Sequence, residues 1–206
     1  MEHLENYRQE KLTINLVWAN VFGILIIIPI VIVFGLPYYL IWGFELTIPH
    51  FKDMIPPVFQ EYAVGIGTTL FFIILIGGII LHELIHGLTW ARYTAKGFKS
   101  IKFGVFWSML APYCHCKEPL SVRHYIMGAI TPALFLGLVP ALLSIITGNI
   151  GLLIFGMFFT MTACGDFLII NLLRKEKMDS LVQDHPSEAG CFIYRKKDAV
   201  ISDEGV

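Results

Sequence analysis

Four long apolar runs divide this chain, with short polar segments between them. The first extends from about Leu16 to Ile41 and is interrupted by Asn20, Pro29 and Pro37. The second covers about Ala63 to Trp90, the third about Tyr125 to Thr147 and the fourth about Ile150 to Leu173. Each is long enough for the roughly 20 residues with which an α-helix crosses a bilayer. The pattern predicts an all-α membrane protein of four transmembrane helices. Thr147-Gly148-Asn149 is so short a connection that spans three and four must form a tight antiparallel hairpin. Span one does not read as a cleaved signal peptide, because its apolar run is too long and Glu2, Glu5 and Glu10 are the wrong flank.

Two polar segments carry a different period. In the second loop Ile101, Phe103 and Val105 alternate with Lys102 and Gly104, and Tyr113-Cys114-His115-Cys116 reads as a partner strand. A short β-hairpin or re-entrant segment is expected there; the other reading is an interfacial loop anchored by Phe106 and Trp107. Beyond the fourth run, Asp184-His185-Pro186 predicts a turn, and Gly190 to Tyr194 a short strand. Asp184 and His185 read as surface turn residues, with an indirect role beside a site or substrate as the alternative. The expected partition is a polytopic membrane domain over residues 1–175. A small cytoplasmic tail, residues 176–206, would pack on or near it.

Composition sharpens this picture. The chain has 206 residues, 56% hydrophobic and 15% charged, whereas a soluble domain carries about 25% charged residues. A formal net charge of -1, with no basic run interleaved with aromatics, excludes nucleic acid as a partner. No internal repeat or low-complexity segment stands out. Lys and Arg gather before span one (Arg8, Lys11), in the second loop (Arg92, Lys96, Lys99, Lys102, Lys117, Arg123) and after span four (Arg174, Lys175, Lys177). The first loop has Lys52 against Glu45, Asp53 and Glu61, and the third loop has no basic residue. By the positive-inside rule the N- and C-termini and the second loop are cytoplasmic, in a multi-pass cell-membrane protein. Cys114, Cys116 and Cys191 then face the reducing side and Cys164 lies in span four, so no disulfide is expected. Cys114-His115-Cys116 has the spacing of a strand rather than the Cys-x2-Cys turn of a zinc knuckle.

The chemistry is concentrated in span two, at His82-Glu83-Leu84-Ile85-His86-Gly87. Residues four apart share one helix face, so His82 and His86 can grip one metal ion with Glu83 beside them. This is the HExxH arrangement, in which two His bind Zn²⁺ and the Glu takes the proton of a metal-activated water. Ionisable side chains are rare in a bilayer without a task; the alternative is a polar cluster that holds helices together. A catalytic zinc usually has a third protein ligand. Asp166 is the only carboxylate within spans one, three and four, and lies eight residues before Arg174. The midpoint of His82 and His86 lies eight residues before Arg92. At about 1.5 Å per residue both sit roughly 12 Å below the cytoplasmic boundary. Cys164 is the rival ligand, with His115 and His124 as outsiders from the loop. Gly165 and Gly77-Gly78 would allow close helix approach near such a site.

An HExxH on one membrane helix and a Gly-Asp pair on another resemble the site-2 type intramembrane metalloproteases. The four-span layout, the Gly165-Asp166 pair after the second hydrophobic hairpin and Asp184-His185-Pro186 resemble more closely a small family of zincin peptidases. That resemblance covers about Leu70 to Tyr194. The site-2 proteases carry an Asn-Pro-containing Leu-Asp-Gly motif, whereas here Asp166 precedes Phe167. The expectation is an integral-membrane zinc metallopeptidase with Glu83 as general base and His82, His86 and Asp166 as ligands. Its partners are bilayer lipid and a membrane-protein or peptide substrate. The rival is a metal-binding membrane protein without hydrolase activity, a transporter or regulatory scaffold.

Overall fold

The computed structural model describes residues 6–43, 56–107, 111–186 and 188–197. The charges at Glu2, Glu5, Glu45, Lys52 and Asp53 and the tail end 198–206 lie outside the described residues. Helices dominate. Val17–Trp42, Ala63–Ala91 and Val122–Thr147 are each long and apolar enough to cross a membrane. The pair Ile150–Thr162 and Cys164–Leu173, bent by 43°, makes a fourth crossing if it acts as one span.

The first leg is segmented. Helix α1 (Leu16–Leu25) is capped by the Asn15 side chain, which accepts from the Val17 and Trp18 amides. Helix α2 (Ile27–Ile30) and a π-helical turn at Val31–Gly35 lead into α3 (Leu36–Trp42). Helix α4 (Ala63–Ala91) is continuous over 29 residues. The third leg runs through α5 (Val122–Pro132), a second π-helical stretch at Ala133–Leu138, and α6 (Val139–Thr147). Gly148 takes the left-handed conformation (φ 71°) after α6, where glycine ends a helix without the steric penalty of a Cβ. Asn149 then caps α7 (Ile150–Thr162) through the Leu152 amide, giving the tight hairpin. The first leg is tied to its far end: Tyr38 donates to the Gly148 carbonyl (2.6 Å) and Trp42 Nε1 to that of Ile145 (2.9 Å).

The fourth leg breaks at Ala163 (ψ 7°), and α8 (Cys164–Leu173) starts afresh. Of the glycines expected to admit close approach near the site, Gly78 does so: a Cβ there would meet the Phe159 ring at 2.3 Å. Gly77 and Gly165 have no neighbour within 4 Å of that position. Between α7 and the third leg the close approach is to backbone atoms. A Cβ on Gly156 would come within 2.6 Å of the Ala141 backbone nitrogen and 2.7 Å of the Gly137 oxygen.

The expected loop hairpin is present: β2 (Ile101–Phe106) pairs antiparallel with β3 (Ala111–Cys116), with Ile101 opposite Cys116 and Phe103 opposite Cys114. The short strand expected at Gly190 to Tyr194 also forms, within Gly190–Lys196, but the hydrophobic pattern did not show the second sheet that it joins. That sheet has the order β1-β6-β5-β4, from β1 (Tyr7–Thr13), β4 (Leu120–Ser121), β5 (Leu181–Asp184) and β6 (Gly190–Lys196). β1 was missed because Arg8, Gln9, Glu10 and Lys11 give no alternation; its backbone pairs with β6 instead. Arg195 on β6 joins Glu176 (2.7 and 2.8 Å) and Glu10 on β1. The segment before leg one, the loop before leg three and the segment after leg four thus share one sheet. Legs three and four therefore leave from and return to the same end of the bundle.

The core concentrates at that end. Trp90, Ile101, Cys116, Leu120, Val122, Tyr125, Leu173, Val182, Cys191 and Ile193 form one buried cluster. Elsewhere the helices turn apolar side chains outward, among them Val64, Ile73, Ile80 and Ile146, as a lipid solvent permits. Gly156→Val should lower the unfolding midpoint in detergent micelles, by about 1–3 kcal/mol of stability, because backbone atoms cannot yield to the new methyls. Gly77→Ala, pointing into open space, should leave that midpoint within about 0.5 kcal/mol of wild type.

Candidate metal centre

His82 and His86 lie one turn apart on α4 and are both buried, at 6% and 3% exposure. Their Nε2 atoms are 3.2 Å apart. Asp166 reaches them from α8: one carboxylate oxygen is 3.3 Å from His82 Nε2 and the other 3.3 Å from His86 Nε2. Among the described residues these three are the group of His, Cys, Asp or Glu side chains able to hold a metal ion. The break at Ala163 accounts for the reach of Asp166. It puts the carboxylate in the first turn of α8, where the helix N-terminus favours negative charge.

The donor set fits zinc. Ligand atoms bound tetrahedrally at roughly 2.0–2.1 Å lie about 3.3 Å from one another, close to the separation between the two Nε2 atoms and from each of them to one of the two Asp166 oxygens. His86 Nδ1–H donates to the Gly128 carbonyl (2.8 Å), which leaves the Nε2 lone pair directed at the cluster. Such an outer hydrogen bond fixes the tautomer a metal requires. Among the described residues His82 Nδ1 is buried without a hydrogen-bond partner, while its Nε2 faces the cluster. Two imidazole nitrogens and a carboxylate drawn together in an apolar bundle are costly unless a cation joins them.

The rival ligands are elsewhere. Cys164 is directed at α1, its Sγ 3.6 Å from where a Gly23 Cβ would be. His124 stacks on Tyr93 at 4.0 Å and meets the Ser121 hydroxyl at 3.0 Å. His115 lies 4.0 Å from an Asp184 oxygen. Glu83 is half-buried, charge-coupled to His82 and His86, and faces the backbone N–H of Cys114 on β3. The glycine after His86 explains this proximity. A Cβ on Gly87 would meet Phe103, Ile101 and Cys114 Sγ at 2.7–3.3 Å, so only glycine lets the hairpin lie across the HExxH turn.

Sequence reasoning missed the framework behind His86. Its ring stacks on Trp90 (5.1 Å), and Trp90 stacks on Tyr125 (5.1 Å) and donates to the Tyr125 carbonyl. Gly128 makes room for this stack, since a Cβ there would lie 2.0 Å from Trp90 Nε1. The Tyr125 hydroxyl donates to Asp184, whose second oxygen accepts from the Cys116 amide at 2.7 Å. Asp184 is therefore an internal brace rather than a surface turn residue. Burial lifts its carboxyl above the usual range, and the Tyr125 and Cys116 donors pull it back. The Asp184-His185-Pro186 motif was the available signal; its partner Tyr125 had none.

Cys116 and Cys191 are buried in the same cluster, and burial pushes both thiols up to about 12. Only the thiolate reacts, so at about pH 8 iodoacetamide should spare both in the folded protein. Both should be alkylated after denaturation, as peptide mass spectrometry would record.

No curated protein and no solved structure matches the chain. The family model described as "Putative zincin peptidase" matches residues 75–181, a segment that holds both histidines, Glu83 and Asp166. With more than half of its length matched, the chain belongs to this zincin peptidase family.

Proposed function

We propose that this protein is an integral-membrane zinc metallopeptidase that hydrolyses peptide bonds of membrane-associated or transmembrane substrates, in the manner of the site-2 type enzymes. The observation that carries this reading is the cluster of His82, His86 and Asp166, whose Nε2 atoms lie 3.2 Å apart and each 3.3 Å from one carboxylate oxygen, with Glu83 one residue from the first histidine. Those three residues would hold the ion. Zinc, when bound, supplies Lewis acidity towards a carbonyl oxygen and brings the pKa of water towards 7.

The remaining chemistry belongs to the chain. Glu83 accepts the proton of the attacking water as its oxygen bonds to the carbonyl carbon, and returns that proton to the amine nitrogen as the C–N bond breaks. Gly128 holds the His86 ring in the tautomer its ligand role needs. A peptide bond within a helix is shielded, so the substrate must first unwind. The edge of β3 beside Glu83 offers backbone partners to such an extended segment.

In this reading four spans cross the cell membrane, both termini are cytoplasmic, and bilayer lipid and a membrane-protein or peptide substrate are the partners. The sheet that joins the segments before leg one, before leg three and after leg four supports it, as does the Lys and Arg bias. A metal-translocating protein is the second reading, favoured by the break at Ala163 beside Asp166, because transporters build ion sites at interrupted helices. The unbroken α4 and the presence of Glu83 favour hydrolysis.

Glu83→Gln separates the two. Purified in detergent and incubated with an unfolded protein such as casein, the variant should retain wild-type zinc by mass spectrometry. It should lose cleavage by at least about 10²-fold. Metal uptake into vesicles that survives the substitution, with no wild-type proteolysis, would establish transport instead. Asp166→Ala should lower the zinc content, whereas full occupancy would reject it as a ligand.

A further inference from the structure

The hairpin beside Glu83 has an unusual edge. In an antiparallel pair, alternate residues of one strand direct both backbone groups to the same side. The Cys116 N–H points away from β2, since it donates to Asp184 at 2.7 Å. The Cys114 N–H points the same way, towards the Glu83 carboxylate. His115 and Tyr113, opposite Lys102 and Gly104, therefore face β2. The next outward position is Pro112, which has no N–H. Of the three outward residues of β3, one lacks a donor and another has its donor taken by a buried carboxylate.

We propose that Asp184 sets the register in which an extended peptide pairs with β3, by closing the edge at Cys116 and leaving Cys114, whose N–H faces the Glu83 carboxylate, as the one outward donor that a peptide carbonyl can engage in place of that contact. This rests on the peptidase reading and defines its substrate more narrowly. A docked segment presents one carbonyl to Cys114, beside Glu83, and cannot continue as a strand past Cys116. The edge thus accepts a short unwound stretch within an otherwise helical segment, not a long strand. Asp184 acts through β3 rather than on the reacting atoms, so it is a positioning residue. Its place is firm: the Tyr125 hydroxyl holds its other oxygen, and Val182 two residues earlier is fully buried.

The chain has four cysteines, and two of them are the edge residues. Selective ¹⁵N-cysteine labelling in detergent micelles therefore gives a four-line amide spectrum that reads the edge directly. Without ligand, the Cys116 amide of wild type should exchange slowly with solvent. Asp184→Ala should speed it by about ten- to a hundredfold, the effect of losing a hydrogen bond to a carboxylate. Asp184→Asn, which keeps an acceptor oxygen, should restore most of the protection. An unchanged Cys164 line shows that either variant is folded, whereas Cys191, paired with Asp184 across β5 and β6, is not used for this. Cys116 exchange indifferent to Asp184→Ala would overturn the closure of the edge.

The second arm adds an acetylated Leu-Leu-Gly hydroxamate to the zinc-loaded protein. In wild type Cys114 should shift and Cys116 should not; in Asp184→Ala both should. Equal shifts at Cys114 and Cys116 in wild type would overturn the register. A probe that moves neither line removes β3 as the docking edge, and this proposal with it. The peptidase reading itself would stand or fall separately, on cleavage of casein by wild type and its loss in Glu83→Gln.

Discussion

Two imidazoles and a carboxylate within 3.3 Å of one another, inside a bundle whose outer faces are Ile, Leu, Val and Phe, are the constraint on which this structure turns. Hydration lost by such groups must be replaced by a cation or by protein donors. Each local departure from a regular helix near the cluster serves that end. The break at Ala163 brings a carboxylate to a helix N-terminus, and the Gly78–Phe159 contact lets α4 and α7 approach one turn from His82. Gly87 and Gly128 admit the hairpin on one side and the Trp90 ring on the other. These glycines are spaces for specific neighbours, not points of flexibility.

The bracing extends well beyond the ligands. His86, Trp90, Tyr125 and Asp184 form a continuous line of contacts from the cluster to the sheet at the end of the bundle. Asp184 then joins that line to β3 through Cys116. The residue that backs the ligand helix is thus the same one that shapes the strand beside Glu83. A single carboxylate couples the geometry of the His82, His86 and Asp166 cluster to that of the β3 edge beside Glu83.

How much of this could be read beforehand follows from range. The four apolar runs, the hairpin at Gly148 and the strand alternation at Ile101, Phe103 and Val105 are local signals, and each marks the element that forms there. Asp166 could be found by elimination, because an apolar span contains few carboxylates, and its depth matched that of the histidines. Of the β1-β6-β5-β4 sheet only the strand at Gly190 to Tyr194 showed in the pattern, because a strand such as Tyr7–Thr13 takes its order from a partner nearly two hundred residues away. Tyr125 and Asp184 fall in the same class. Nothing near either residue in the chain announces the other, and an Asp before His-Pro looks like an ordinary turn.

The pairing of β1 with β6 has a consequence for biogenesis. β1 leaves the ribosome before the four helical legs described above, and its neighbour β6 leaves after them. Until then β1 has an open edge, and the brace that Asp184 provides does not yet exist. Long-range pairings of this kind form late, because the intervening chain must be ordered first. The nascent chain therefore carries His82, His86 and Asp166 for some time before the framework around them is closed. Closure of the framework is thus timed by the emergence of β6 rather than by the helices that carry the three side chains.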